Sequence, residues 1–363
     1  MMPSRLVLLR DRRRVALRAP AICAILLAAL PGARSQSGNP DKSPATQLQK
    51  SGAVSPRVSL SPRFVPGQTF HYELEFETTT ATSRSGSVLD PQGPSSLLVD
   101  WDATVRIEIL PAGASAPGGI RLRTTYEKST ASVRSDTFDP AAAETQDQYK
   151  KLEGKSVEFT LDATGKVKSI SGLSGIVEGE KASQSAGQWI AQISASAGAP
   201  AGGVAPGQTW SSEQPASSLP IAGMVWRSDY QYLRNEDCYP PNPNLPPSAG
   251  APDSAAHSQL ADSCAVILAN LSLRRPKALR DPTPPEFRKN GVQTAGTWEG
   301  SGQSLMYVSL ATGFVVSVTQ TGMEEMNVTL KSGQGASMHY SGTISSRSQV
   351  ALVQGDPSQN RSK

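Results

Sequence analysis

Three histidines, His71, His257 and His339, are the chain's whole supply of imidazole. Imidazole is a common metal ligand and general base, but a zinc centre needs three or four ligands in fixed geometry. No HExxH or CxxC accompanies them. Serine hydrolase chemistry lacks its frame too. There is no GxSxG, the nearest string, Gly172-Leu173-Ser174-Gly175, lacks the elbow spacing, and no SxxK pair is present. Nucleotide-binding loops of the GxxxxGK[ST] or strand-linked GxGxxG type are missing. The sequence therefore offers no catalytic, metal-binding or cofactor-binding residue, and a non-catalytic role leads.

Other side chains could still recognise something. Glu73, Glu75 and Glu77 form a row along one strand face, able to hold calcium or a cationic partner. Such a row also serves as a solvated face that discourages edge pairing; the solvated face is the expectation, and Glu324-Glu325 reads likewise. Trp226, Tyr230 and Tyr232 share one face of another strand, as a ligand-stacking platform or as a core stripe. Trp101 and Trp189 belong to apolar stripes and are expected in the core. Asn270-Leu271-Ser272 and Asn327-Val328-Thr329 match the glycosylation sequon. Both lie within expected strands, and no glycan is expected.

Compartment is the clearest signal. Arg5, Arg10, Arg12, Arg13, Arg14 and Arg18 precede the apolar run Ala19–Leu30, and Ala33-Arg34-Ser35 supplies a small-x-small cleavage site. That order is a bacterial-type signal peptide over residues 1–35, with Gln36 as the mature start. The twelve-residue run is shorter than the roughly 20 residues that span a bilayer, so no mature transmembrane helix is expected. Arg13-Arg14 loosely matches a twin-arginine signal, and Cys23 lies inside the apolar run without a lipobox. The chain holds 35 Lys+Arg and 31 Asp+Glu; without the seven basic and one acidic residue of the signal the balance is 28 to 30. A net charge of −2 gives no basic surface for phosphate backbones, which excludes nucleic acid as the expected partner. Export leaves Cys238 and Cys264, an even pair that predicts a disulfide.

Period-two alternation positions these residues. TFHYELEFETTT, WDATVRIEI and IRLRTTYEK each divide into a dry and a wet face. Further strands are expected near 155–162, 165–171, 224–236, 263–273, 291–299, 304–310, 313–321, 325–331 and 337–345. One wet and one dry face means antiparallel sheet. Helices are predicted from Asp139-Pro140 to Gly154 and over 180–197, the second packing on the dry face. Residues 36–60 and 351–363 are polar and small enough in character to stay disordered, as is a proline-rich loop at 239–260 whose base the disulfide would clamp.

The chain also repeats. Pro66-Gly67-Gln68-Thr69 returns as Pro206-Gly207-Gln208-Thr209, and Ala163-Thr164-Gly165 as Ala311-Thr312-Gly313. Two β-rich halves follow, 61–200 with two helices and 201–350 with the proline-rich loop. The fold class expected is mainly β (β-rich α+β): an antiparallel sheet or open half-barrel covered by two helices. The PGQ strand starts, with Leu152, Gly154, Lys155, Leu161, Asp162 and Gly165, resemble those of uncharacterised exported bacterial β-rich proteins. The layout is similar to the open half-barrels of periplasmic lipoprotein carriers. The amphipathic helix expected over 180–197, facing a sheet with dry-side aromatics, points to an apolar or lipid-like ligand, or a partner protein, held against the sheet in the cell envelope. A structural or adhesive envelope module acting through the proline-rich loop is the alternative, and a hydrolase of envelope material the second.

Overall fold

Alternation becomes burial in the first hairpin of the computed structural model. In β1 (Thr69–Gly86), Tyr72, Leu74, Phe76 and Thr78 are buried and Glu73, Glu75 and Glu77 are exposed. Each inward residue lies opposite an inward residue of β2 (Ser95–Leu110): Tyr72 faces Val105, Leu74 faces Ala103, and Phe76 faces Trp101. Directly opposed side chains share a sheet face, so the register and the apolar pattern specify each other. The structure describes residues 56–86, 95–111, 120–136, 140–161, 167–172, 199–200, 202–216, 219–238, 262–276, 279–333 and 335–353.

The remaining strands are β3 (Ile120–Ser135), β4 (Ser156–Leu161), β5 (Val167–Ser171), β6 (Thr209–Pro215), β7 (Val225–Asp237), β8 (Ser263–Arg274), β9 (Val292–Ser309), β10 (Val315–Ser332) and β11 (Ser337–Val353). All eleven form one antiparallel sheet in the order β5-β4-β3-β2-β1-β11-β10-β9-β8-β7-β6. The fold is mainly β, as expected, and the sheet does not close, since its edge strands β5 and β6 do not pair with each other. Each half is a meander, and the pairing of β1 with β11, from His71 opposite Val353 to Gly86 opposite Met338, joins the two.

Four expected strands merge into two. The segments 291–299 and 304–310 are one 18-residue strand, β9, and 313–321 and 325–331 are one 18-residue strand, β10. Gly300, Gly302 and Gly322, which fall in the gaps between the expected strands, lie inside the ladder, with Gly302 directly opposite Gly322. Strands this long reach about 60 Å, against a usual 17–20 Å.

The helix α1 (Pro140–Lys150) stands where expected, between β3 and β4. The helix expected over 180–197, with Trp189, lies outside the described residues. A second described helix, α2 (Pro285–Lys289), has no counterpart among the expected ones; proline opens it and five residues are too few to carry a helical period. Both helices follow the third strand of their half. A positive-φ glycine, Gly154 or Gly291, then leads into the next strand.

The two PGQ turns are built alike. Gly67 donates its N–H to Ile109, and Gln68 donates to Val65 and accepts from Ile109; Gly207 donates to Tyr232, and Gln208 donates to Ala205 and accepts from Tyr232. Gly67 at φ 89° and Gly207 at φ 84° take the same left-handed conformation, which an L side chain rarely adopts.

One end of the inner face is filled by the segment leading into β1. Val58 pairs with Val204, Arg63 donates its N–H to Thr312, and Leu60, at the expected boundary of the leader, is 1% exposed. Phe64 and Phe70 pack on Phe314 at 5.3 and 4.5 Å, and the Tyr72 hydroxyl donates to the Val315 carbonyl at 2.9 Å. A separate cluster of Leu219, Ile221, Met224, Leu273, Trp298, Val328 and Ile344 fills the other end.

Candidate functional site: a polar waist on the inner face

Between these two apolar ends the inner face changes character. Following the register from the β6 edge gives one continuous row: Ser212, Ser228, Leu271, Gly302, Gly322, Ser346 and Thr78. Small and hydroxyl side chains dominate it. Over Gly302 and Gly322 the row deepens into a crevice of about 10 Å³, space for about one water. Its floor is bare glycine backbone, and its walls include Trp226, Leu271, Gln320, Glu324 and Ser346.

The glycines fit closely against what surrounds them. A Cβ on Gly300 would lie 2.8 Å from the Trp226 ring and 3.0 Å from Glu324 Cγ. One on Gly322 would lie 2.9 Å from Ser346 Oγ. These positions let Trp226 lie across the neighbouring strand toward the carboxyl.

Glu324 is the chemically distinctive group. The sequence pattern puts Glu324 and Glu325 together on a solvated face. The pleat separates them, leaving Glu325 outside and Glu324 inside at 3% exposure. Its Oε2 accepts a 2.5 Å hydrogen bond from Trp298 Nε1, while Oε1 has no partner. Burial pushes its pKa from 4.5 up to about 7, the Trp298 bond opposing this only in part. Among the described residues no second carboxyl lines the crevice, so the two-carboxylate arrangement of a glycosidase is not formed there.

More unpartnered polar atoms gather along the row. Thr78, Ser212 and Ser228 hydroxyls, the Tyr230 hydroxyl and Trp210 Nε1 are buried without a hydrogen bond. The Tyr230 hydroxyl faces those of Ser212 and Ser228, and burial raises its pKa, but none of the three closes a bond of good geometry. Over nine in ten buried polar groups in folded proteins have a partner. Among the described residues this face leaves Glu324 Oε1, Trp210 Nε1 and the Thr78 hydroxyl without a partner, while the Tyr230, Ser212 and Ser228 hydroxyls lie within reach of one another.

The residues singled out from sequence distribute as follows. Tyr230 and Tyr232 are 3% and 0% exposed, with Trp210 stacked on Tyr230 at 5.3 Å, while Trp226 is half-buried and walls the crevice. Cys238 and Cys264 bring their sulfurs to 2.12 Å at the ends of β7 and β8. His71 and His339 sit fourteen strand positions apart along β1 and β11, about 48 Å, and cannot share a ligand. His257 lies outside the described residues. Among the described residues, no cluster of His, Cys, Asp or Glu could hold a metal ion, and no helix is long and apolar enough to cross a membrane. Sequence reasoning misses Glu324 although Val318, Gln320, Gly322, Glu324, Met326 and Val328 alternate in phase.

The buried carboxyl has a measurable signature. Its folded pKa lies above its unfolded value, so the native state holds the proton longer as pH rises. The Glu324 contribution to stability should be highest below about pH 4.5, fall by about 3 kcal/mol as pH rises to 7, and level off beyond. Urea titrations across that range should show the decline in the natural chain and lose it in Glu324→Gln. Parallel curves for both would refute the assignment.

No family model matches the chain, and no curated protein matches it at a significant level. Among solved structures it is similar to one titled for lipid–protein interactions in lipovitellin, with 8% identity and a TM-score of 0.42. That match covers 80% of this chain but only 26% of the lipovitellin chain. DynF from the dynemicin biosynthesis pathway of Micromonospora chersina matches at 8% identity and TM-score 0.17, covering 92% of this chain and 98% of DynF. A mutant Rh. blastica porin matches at 10% identity and TM-score 0.20, covering 76% and 99%. Scores this low do not establish a common fold, and no function is carried over from them.

Proposed function

We propose that this is an exported, non-catalytic binding protein of the cell envelope, built from two related halves, β-β-β-α-β-β and β-β-β-α-β-β-β, which holds an apolar or lipid-like ligand along the inner face of its open sheet. The observation that carries the reading is the row of unpartnered polar atoms between two apolar clusters. Ligand sites are mostly apolar walls with a few placed polar groups, and this row supplies both. From the crevice at β10 to the free edge at β6 it crosses four interstrand spacings, about 19 Å, the scale of an extended acyl chain lying across the strands. The matching PGQ turns and helix positions support the two-halves reading.

Export is supported by the order of charges and apolar residues over 1–35, which lie outside the described residues. The Cys238–Cys264 pair is consistent with an oxidising compartment.

The test is direct. Delipidated protein titrated with a fluorescent fatty acid should show saturable binding near one equivalent, competed by unlabelled long-chain lipids. A folded sample that binds no apolar probe of any head group would remove the ligand reading and leave the structural or adhesive one.

A further inference from the structure

We propose that the crevice over Gly302 and Gly322 is a head-group pocket for a primary ammonium group, with Glu324 as its counter-ion. The proposal rests on the ligand-binding reading and names the ligand's polar end.

Four observations converge on it. Glu324 is nine-tenths buried and lines the crevice; its Oε1 has no protein partner among the described residues, and its Oε2 is fixed by Trp298. The crevice has the size of one water, which is also the size of an ammonium nitrogen with its hydrogens. Ser346 and Gln320 line the same space, and their side chains carry oxygens of the acceptor type that the three donors of –NH3+ need. Trp226 is another residue lining the space.

The charge environment agrees. Among the described residues no Lys, Arg or His lines the crevice, and the positions opposite Glu324 on β9 and β11 are Gly300 and Ile344. Only burial and the Trp298 bond act on the Glu324 carboxyl; no other charged group does. A buried carboxylate in that setting lacks the positive partner that buried charges normally keep. A carboxylate or phosphate head group would meet it as a like charge, and an alcohol would satisfy it without neutralising it.

The binding step also has a defined pH sense. An ammonium ligand needs Glu324 ionised, so its affinity should strengthen as pH rises through about 7. An alcohol of the same chain length needs no ionisation and should show little change.

The experiment is calorimetric titration of the mature protein with dodecylamine, dodecanol and laurate below their micellar concentrations, at about pH 5.5 and about pH 8. The expected result is about tenfold tighter binding of the amine than of the alcohol at the higher pH, the worth of one charge-assisted hydrogen bond. That preference should shrink at the lower pH and vanish in Glu324→Gln, which still offers Trp298 an acceptor oxygen. Equal affinity for amine and alcohol at the higher pH, or laurate tightest of the three, would overturn the head-group assignment while leaving the ligand reading intact. Absence of binding by all three to folded protein would overturn both. Because the amine-to-alcohol comparison is made on the natural chain, it does not depend on the variant folding.

Discussion

Replacing Trp101 with alanine should cost about 4 kcal/mol of stability, within the upper range for truncating a buried aromatic. Trp101 is 3% exposed at the middle of β2 and lies opposite Phe76. Its ring packs on Tyr149 of α1 at 5.2 Å and on Tyr126 of β3 at 6.4 Å. Its Nε1 donates to Ser129 Oγ at 3.0 Å, and Ser129 Oγ donates onward to the Tyr149 carbonyl at 2.7 Å. Alanine therefore opens a large cavity against Tyr149 of α1 and also removes the donor to Ser129, whose own bond to the Tyr149 carbonyl remains. Trp101→Phe separates these effects. It keeps much of the packing and should cost about 1–2 kcal/mol, near the worth of one hydrogen bond plus a small void. Urea unfolding gives the totals, and hydrogen exchange of amides 145–150 reports the loosening of α1. If alanine and phenylalanine cost the same, the ring's volume is not what holds the helix.

The alternation that identifies β1, β2 and β3 is legible because burial on one side of an antiparallel sheet leaves a period-two record. That record assigns the inward set correctly: Phe76, Trp101, Val105 and Leu122 are all in the principal core. It fails in β9 and β10, where glycine has two meanings. Gly207 and Gly313 do provide turns, at φ 84° and 72°. Gly300, Gly302 and Gly322 instead make room for Trp226, for Leu271 and a neighbouring strand's carbonyl, and for Ser346. One sequence does not separate a glycine that bends the chain from one that lets another group approach. The pairing of β1 with β11 is equally hidden, because partners such as Leu74 and Val350 are far apart in sequence and no local signal joins them.

The same ambiguity conceals the candidate site. A glutamate inside a strand is read as solvent-facing because burying a carboxyl is costly, and Glu324 beside Glu325 strengthens that reading. The alternation runs the other way, and the structure follows the alternation. Where a strand's phase puts an acid on the dry face against its chemical preference, the exception itself points to function. For Glu324 the cost is only partly offset, by Trp298, which leaves one oxygen and a water-sized space beside it.

Reduction of the Cys238–Cys264 disulfide should lower stability by roughly 3.5 kcal/mol, the chain-entropy value for a loop of this length. Cys238 is 6% and Cys264 0% exposed, packed with Val316 and flanked by Tyr307 and Leu352. The Cys238 N–H also donates to the Asp262 carbonyl at 2.8 Å, and Ser309 Oγ donates to the Asp262 carboxylate. These native contacts persist after reduction, so the loss should come from a freer unfolded chain. The double variant Cys238→Ala/Cys264→Ala should then behave like the reduced protein, with a steeper urea dependence because the unfolded state expands. Loop length provides the decisive comparison. Shortening residues 239–261 so that the closed loop falls to about ten residues should reduce the disulfide's contribution by about 0.9 kcal/mol. An unchanged contribution would show that the bond acts through native packing instead. The same shortened protein separates the two non-catalytic functions. Ligand binding at the inner face should survive it, whereas an adhesive role of the proline-rich loop would be lost with the disulfide still in place.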